Sequence, residues 1–344
     1  MDLKIDFVLT WVDGADAQWL AEKEKYIKLE GQMFHKDSST ARYRDWNNLR
    51  YWFRGVEKFA PWVNNIYFVT WGHVPQWLNL SNPKLKIINH KDFIPAEYLP
   101  TFSINVIEDN LYRIKGLSEH FVYFNDDMFL INAVSKKIFF KNGKPVDSAI
   151  LTAHCYSRKD TLIMTPIVDI GVINEHFDFH STIKKNFFKW FNLKYKKGLL
   201  QNAVLYLCPR FPGIAQHHLP DAFLKSTFIE IWDKEKALLD ETCKNKFRCT
   251  TDVNQWLFRE WQLASGKFLP RRVNIGKSFF VDRTSIDEIV TYIKKSQQFL
   301  VEIHFINMLL QNKLHVLLFY HSMDIRHLLL HVHRYNVKLP DKDL

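Results

Sequence analysis

The 344-residue chain is 47 % hydrophobic, 24 % charged and 15 % aromatic, the balance of a packed globular protein. It excludes disorder, collagen-like repeats and low-complexity tracts. The 47 Lys and Arg against 37 Asp and Glu give a formal charge of +10, spread in runs no longer than pairs, which argues against nucleic acid and leaves phosphorylated small molecules or an anionic membrane face as partners.

In chain order, Ile5–Thr10 predicts a first buried strand. Asp6 within it speaks against a signal peptide, so a cytoplasmic location is expected. Leu49, Trp52, Phe53 and Val56 recur at helical spacing, with Asp45 placed to cap the helix and Arg50 and Arg54 sharing another face. Strands follow over Ile66–Thr70 and Leu85–Ile88, then a helix over Val106–Ile114 closed by Gly116, then a strand over Phe121–Phe124. Beyond residue 150 come a basic aromatic stretch (Lys184–Lys197), a Pro-bounded loop (Pro209–Pro220) and helices predicted at 221–238 and 252–265. Residues 286–344 read as helices that are apolar on one side, a helical cap over the sheet. No run reaches the roughly 18 apolar residues of a membrane-spanning helix.

Strands alternating with helices predict an α/β fold with a mostly parallel sheet and helices on both faces. The strand ends carry TWVDGAD, TWGHVP, NHKDFIP and NDD, polar turns where open α/β sheets bind ligands. Neither G-x-G-x-x-G nor a P-loop occurs, so phosphate would be handled by side chains and a bound cation. Asp126 and Asp127 end the run HFVYFNDD; adjacent carboxylates there suit Mg²⁺ or Mn²⁺, and equally an ordinary solvated turn. His217 and His218 are candidates for acid–base work or for a structural role. Arg248 presents a planar fork suited to phosphate oxygens, or to an ion pair with Asp252. Cys155, Cys208, Cys243 and Cys249 form no C-x-x-C pair, which leaves a zinc site unsupported.

IDFVLTWVDGAD (5–16) closely resembles the first block of the Stealth family of sugar-phosphate transferases. Residues 42–78 and 99–129 resemble its long second block, HHLPDAFLKSTFIEIW (217–232) with 246–268 its third, and GKSFFVDRT (276–284) a degenerate fourth. The resemblance implies a nucleotide-sugar-transferase-like (GT-A/Rossmann-like) fold. The catalytic α/β domain would span 1–285 and the helical extension 286–344. It implies transfer of a sugar 1-phosphate from a nucleotide sugar, a UDP-sugar, to a hydroxyl of an acceptor glycan, with release of UMP and dependence on Mg²⁺ or Mn²⁺. Carried over by position, the catalytic residues are Asp127, His218 and Arg248. The substrate-binding set is Asp13, Arg42, Asp45, Arg50, Asn125, Asn254 and Asp282, and the metal ligands are Asp126 and Asp127. Ile104 in FSINVIE departs from the family's usual form. A lipid-linked acceptor would bring the enzyme to the inner membrane face as a peripheral protein. Two further readings stay open: a metal-dependent glycosyltransferase that releases UDP, and a glycan- or nucleotide-binding module without catalysis.

Overall fold

A five-stranded sheet organises the larger part of the chain, which the computed structural model describes over residues 3–30, 36–37, 43, 48–154, 161–280 and 286–304. The strands are β1 (Ile5–Thr10), β2 (Lys36–Asp37), β3 (Ile66–Thr70), β4 (Leu85–Asn89), β5 (His120–Phe124), β6 (Met128–Leu130) and β7 (Phe140–Lys141). Then come β8 (Lys144–Asp147), β9 (Asp221–Leu224), β10 (Arg248–Cys249), β11 (Leu269–Pro270), β12 (Gly276–Phe280) and β13 (Leu300–His304). Helices α1 (Ala17–Glu30), α2 (Leu49–Phe59), α3 (Ile104–Asp109), α4 (Thr161–His176), α5 (Phe179–Lys185) and α6 (Phe187–Trp190) are joined by α7 (Lys197–Leu205), α8 (Lys225–Lys234), α9 (Lys236–Lys244), α10 (Gln255–Ala264) and α11 (Ile286–Lys295).

The chain divides into two units. One comprises Met1–Asp45, Trp62–Asp126 and Ser135–Ile275; the other comprises Trp46–Pro61, Asp127–Val134 and Gly276–Leu344. In the first, the sheet order is β4-β3-β1-β5-β9. The first three pairings are parallel, and β9 runs antiparallel to β5. This is the mostly parallel α/β sheet expected. Every residue of β1 is buried, as a central parallel strand covered on both faces requires. Its one acid, Asp6, is fully buried and accepts from Asn64 Nδ2 at 2.7 Å, Asn65 N at 3.0 Å and Ser118 N at 2.7 Å. One carboxylate thus ties together the entries to β3 and β5, leaving the opposite strand ends to the site. Val8, Phe121 and Tyr123 share one core with α3, α8 and α10, where Phe228 stacks on Phe258 at 3.8 Å. Phe7 packs against Phe124, Phe139 and Trp62. The β7–β8 hairpin turns on Asn142-Gly143, both at positive φ (53° and 70°), the pair a tight hairpin demands.

Three sequence expectations are corrected. Residues 221–224 form strand β9 and not the start of a helix: DAFL places Ala222 and Phe223 opposite Val122 and Phe121 at the sheet edge, and that pairing outweighs the helical pattern. The helix expected over Val106–Ile114 is α3 followed by a separate 3-10 turn at Leu111–Arg113. Asn110 Nδ2 donates to Val106 O at 2.8 Å where the helix ends. In the second unit, the helical pattern around Phe299 and Ile303 gives way to β13, which pairs parallel with β12 and antiparallel with β6. Asp45 lies outside the described residues, and the residue at the helix boundary is Asn48. Residues 305–344, read as a helical cap, also lie outside them.

Candidate active site

Strand β1 runs out through Trp11 and Val12 to Asp13, and two hydrogen bonds fix the turn there. Asp13 N donates to His73 Nε2 at 2.7 Å, and Asp13 Oδ1 accepts from Ala15 N at 2.9 Å. His73 comes from the turn after β3, so the ends of two adjacent parallel strands are clamped together. Its Nε2 accepts, which puts the ring proton on Nδ1, and burial lowers its pKa against the opposing pull of Asp16 and Asp13. Gly14 admits no side chain, since a Cβ there would lie 1.6 Å from the Tyr43 carbonyl oxygen.

At the end of β5 the buried Tyr123 hydroxyl donates to Glu108 Oε1 at 3.0 Å and lies 3.0 Å from Thr10 Oγ1. Glu108, buried on α3, is pushed up to about 7 by burial; the nearby Arg248, the Tyr123 hydrogen bond and the Gln255 amide pull the other way. Asp252 accepts from Cys249 N at 2.8 Å, Asn245 Nδ2 at 2.8 Å and Asn105 Nδ2 at 3.1 Å. It is nevertheless held up at about 6 by burial, again opposed by Arg248. The Arg248 charge therefore acts on two buried carboxyls beside the start of α10. Burial, then the Glu108 charge, hold the Tyr123 hydroxyl well above its ordinary pKa, with a smaller push in the same direction from Asp126. Asn254 caps α10 by accepting from Trp256 N at 2.9 Å.

The two histidines occupy different environments. His217 is partly buried in a charged cluster: Arg271 Nη2 donates to its Nε2, Asp147 Oδ1 lies 3.3 Å away and Asp221 Oδ1 4.0 Å. Burial, then Arg259 and Arg271, push its pKa down to about 4, so this ring is neutral near pH 7. His218 is exposed, its ring 6.1 Å from that of Trp256. Asp147, His217 and Asp221 bring ligand atoms within 4.8 Å of one another, a trio that could hold a metal ion. The same cluster contains two buried guanidiniums, with Arg259 Nε 2.8 Å from Asp147 Oδ2 and Arg271 Nη2 3.4 Å from Asp147 Oδ1. Two guanidiniums already face Asp147, the carboxyl held ionised, so charge favours an ion network here.

With this geometry in place, family models match at residues 3–29 (Stealth protein CR1, conserved region 1) and 42–147 (Stealth protein CR2, conserved region 2). A capsular polysaccharide phosphotransferase WcwK of Streptococcus pneumoniae is 44 % identical over 296 residues, 86 % of this chain and 87 % of its own length. The chain belongs to the Stealth family. A receptor polysaccharide phosphotransferase WefC of Streptococcus oralis is 41 % identical over 83 % of this chain and 85 % of its own length. Among solved structures, the apo-form glycosyltransferase GlyE of Streptococcus pneumoniae aligns over 99 % of this chain and 66 % of its own, with a TM-score of 0.40 and 11 % identity.

Of the residues carried over from the Stealth blocks, Asp13, Asn125, Asp126, His218, Arg248 and Asn254 all belong to the first unit. The Arg248 charge acts on Glu108, and Glu108 accepts from Tyr123. Asp127 and Arg50 belong to the second unit, where Arg50 and Arg54 on α2 are close enough for Arg50 to lower the pKa of Arg54, behind burial. Arg42, Asp45 and Asp282 lie outside the described residues. Sequence reasoning missed Glu108 and Tyr123, although FSINVIE was in hand, and it missed Asp147, Arg259 and Arg271. A lone Glu or Arg in an apolar helix was the only signal available.

Buried carboxyls make a pH prediction. Glu108 (about 7), Asp221 (about 8) and Glu260 (about 8) are raised, chiefly by burial, and Asp109 and Asp169 lie well above the ordinary value. The native state keeps protons that the unfolded chain has already released, so stability falls as pH rises through these values. Below 6.5 the lowered histidines His73, His90, His154 and His217 act in the opposite direction. The clean window is therefore pH 6.5 to 8, with a slope of about 1.4 kcal/mol per unit for each retained proton. Urea titrations of chelator-treated protein should show the midpoint falling across it. A flat or rising midpoint would mean these carboxyls are ionised in the fold.

Proposed function

We propose that the chain transfers a sugar 1-phosphate from a UDP-sugar to a hydroxyl of an acceptor glycan on a lipid carrier, in cell-surface polysaccharide synthesis. The observation that carries this reading is the 44 % identity, over 86 % of this chain, to a capsular polysaccharide phosphotransferase. Arg248, whose charge acts on the buried Glu108 and Asp252, supports it as a cation suited to phosphoryl oxygens.

In this reaction the acceptor oxygen bonds to the phosphorus that bears the sugar. The bond from that phosphorus to the oxygen bridging the two phosphates breaks, and the electron pair leaves with UMP. Arg248 aligns the transferred phosphoryl group and offsets its developing charge. His218, exposed and with its neighbour His217 engaged in the ion network, takes the proton of the attacking hydroxyl. The Asp13 turn, clamped by His73, bounds the donor end of the site.

Asn125 and Asp126, at the end of β5, offer an amide and a carboxylate oxygen, hard donors of the kind Mg²⁺ or Mn²⁺ takes. Such an ion neutralises diphosphate charge when bound. Nucleotide chromatography after incubation with Mg²⁺, UDP-sugars and a glycan acceptor tests the reading. Acceptor-dependent UMP is expected. Acceptor-dependent UDP would make the chain a glycosyltransferase and overturn it.

A further inference from the structure

From Phe179 to Pro220 the chain carries seven Lys and Arg and no Asp or Glu. The same segment leaves Phe187, Phe188, Leu193, Leu200, Val204 and Leu207 exposed, with Phe188, Leu193 and Leu207 each more than 80 % accessible. Singly scattered apolar residues are ordinary on a protein surface. Here they are ordered. Leu200, Val204 and Leu207 follow i, i+4, i+7 spacing along the outward side of α7 and just past its end.

The opposite side of α7 is pinned. Buried Asn202 accepts from Leu151 N at 2.7 Å and donates to Ala149 O at 2.8 Å and Trp190 O at 2.7 Å. Gly198 lies so close to Ile150 that a Cβ there would come within 2.7 Å of it. The helix therefore cannot roll to bury its apolar stripe. Phe187 stacks on Phe191 at 4.8 Å, and Phe191 meets the edge of Tyr206 at 5.9 Å, so α6 and the end of α7 adjoin through one chain of rings. Lys184, Lys185, Lys194, Lys196 and Lys197 are exposed in the same segment.

We propose that this face docks on an anionic lipid bilayer. Phe188, Leu193 and Leu207 enter the boundary between headgroups and acyl chains, and the lysines meet lipid phosphates. Charge selects this occupant. A second copy of the face would set seven cations against seven. Residues 305–344, with five Lys and Arg against three Asp and Glu, also carry net positive charge and are repelled rather than drawn in. The proposal stands apart from the transfer reaction.

The test is sedimentation of the full chain with vesicles of phosphatidylglycerol and phosphatidylcholine, beside vesicles of phosphatidylcholine alone, at low salt. Binding to the anionic vesicles is expected. A Phe188→Ser/Leu193→Ser/Leu207→Ser variant should partition at least about tenfold more weakly, and each of Lys184→Gln, Lys185→Gln and Lys194→Gln should cost about fivefold. All six side chains are exposed, and circular dichroism checks that the variants fold. The proposal fails if the wild type stays in the supernatant, or if the triple serine variant binds as well as wild type. It also fails if sedimentation velocity shows a dimer that the triple variant abolishes, which would assign the face to self-association.

Discussion

A His218→Gln variant is expected to lose about 10²- to 10⁴-fold in turnover while keeping the wild-type melting temperature. Glutamine fills a similar space and can hydrogen-bond, yet it cannot take up the proton of an attacking hydroxyl. His218 is exposed, whereas His217 is partly buried, and both rings lie 6.1 Å from that of Trp256. His217→Gln should behave in the reverse sense, because its Nε2 accepts from Arg271 and its ring lies between Asp147 and Asp221. There the first effect is on stability, read as a lower urea midpoint. UMP formation measured for both variants, at saturating donor and acceptor, separates the two roles. Undiminished turnover in His218→Gln would move the base to Asp127 and leave His218 as a phosphate contact.

The sheet was legible because its inner strands β3, β1 and β5 are buried on both faces and read as largely apolar runs. Ile5–Thr10 and Ile66–Thr70 fall on the observed strands residue for residue, and β4 and β5 differ by one residue at one end. Strand β9 was hidden because four residues starting at Asp221 carry no period long enough to outvote the helix that follows. At the candidate site, the sequence singles out positions where a carboxylate or Arg ends a strand or precedes a helix, as at Asp13, Asp126 and Arg248. Glu108 was not singled out, since its importance comes from Tyr123 and Gln255, which reach it from residues 15 and 147 positions away. The same holds for Arg259, an apparently stray charge within the buried stretch WLFREW until β8 and β9 bring it Asp147 and Asp221.

Arg259→Leu is expected to destabilise the fold by about 3–5 kcal/mol, the cost of leaving a buried charge pair half-dismantled. The side chain is 1 % exposed. Its Nε and Nη2 donate to the two oxygens of Asp147 at 2.8 and 3.1 Å, while Nη1 and Nη2 donate to the carbonyls of Ala215 and Ser148 at 3.1 and 3.2 Å. Beside it, Asp147 is held well below the ordinary carboxylate range, its burial outweighed by Arg259 and then Arg271. Leucine removes four hydrogen bonds at once and leaves Asp147 with Arg271, His217 and the Ser148 amide. Because Ala215 is three residues from His218, the lost anchor should also loosen the segment that presents the proposed base. Urea unfolding at pH 7 reads the stability term, and the turnover of the surviving folded fraction reads the positioning term. Arg259→Lys keeps the charge without the planar fork, so it should recover part of the stability but little of the geometry. A midpoint unchanged in Arg259→Leu would show that Arg271 alone suffices to balance Asp147.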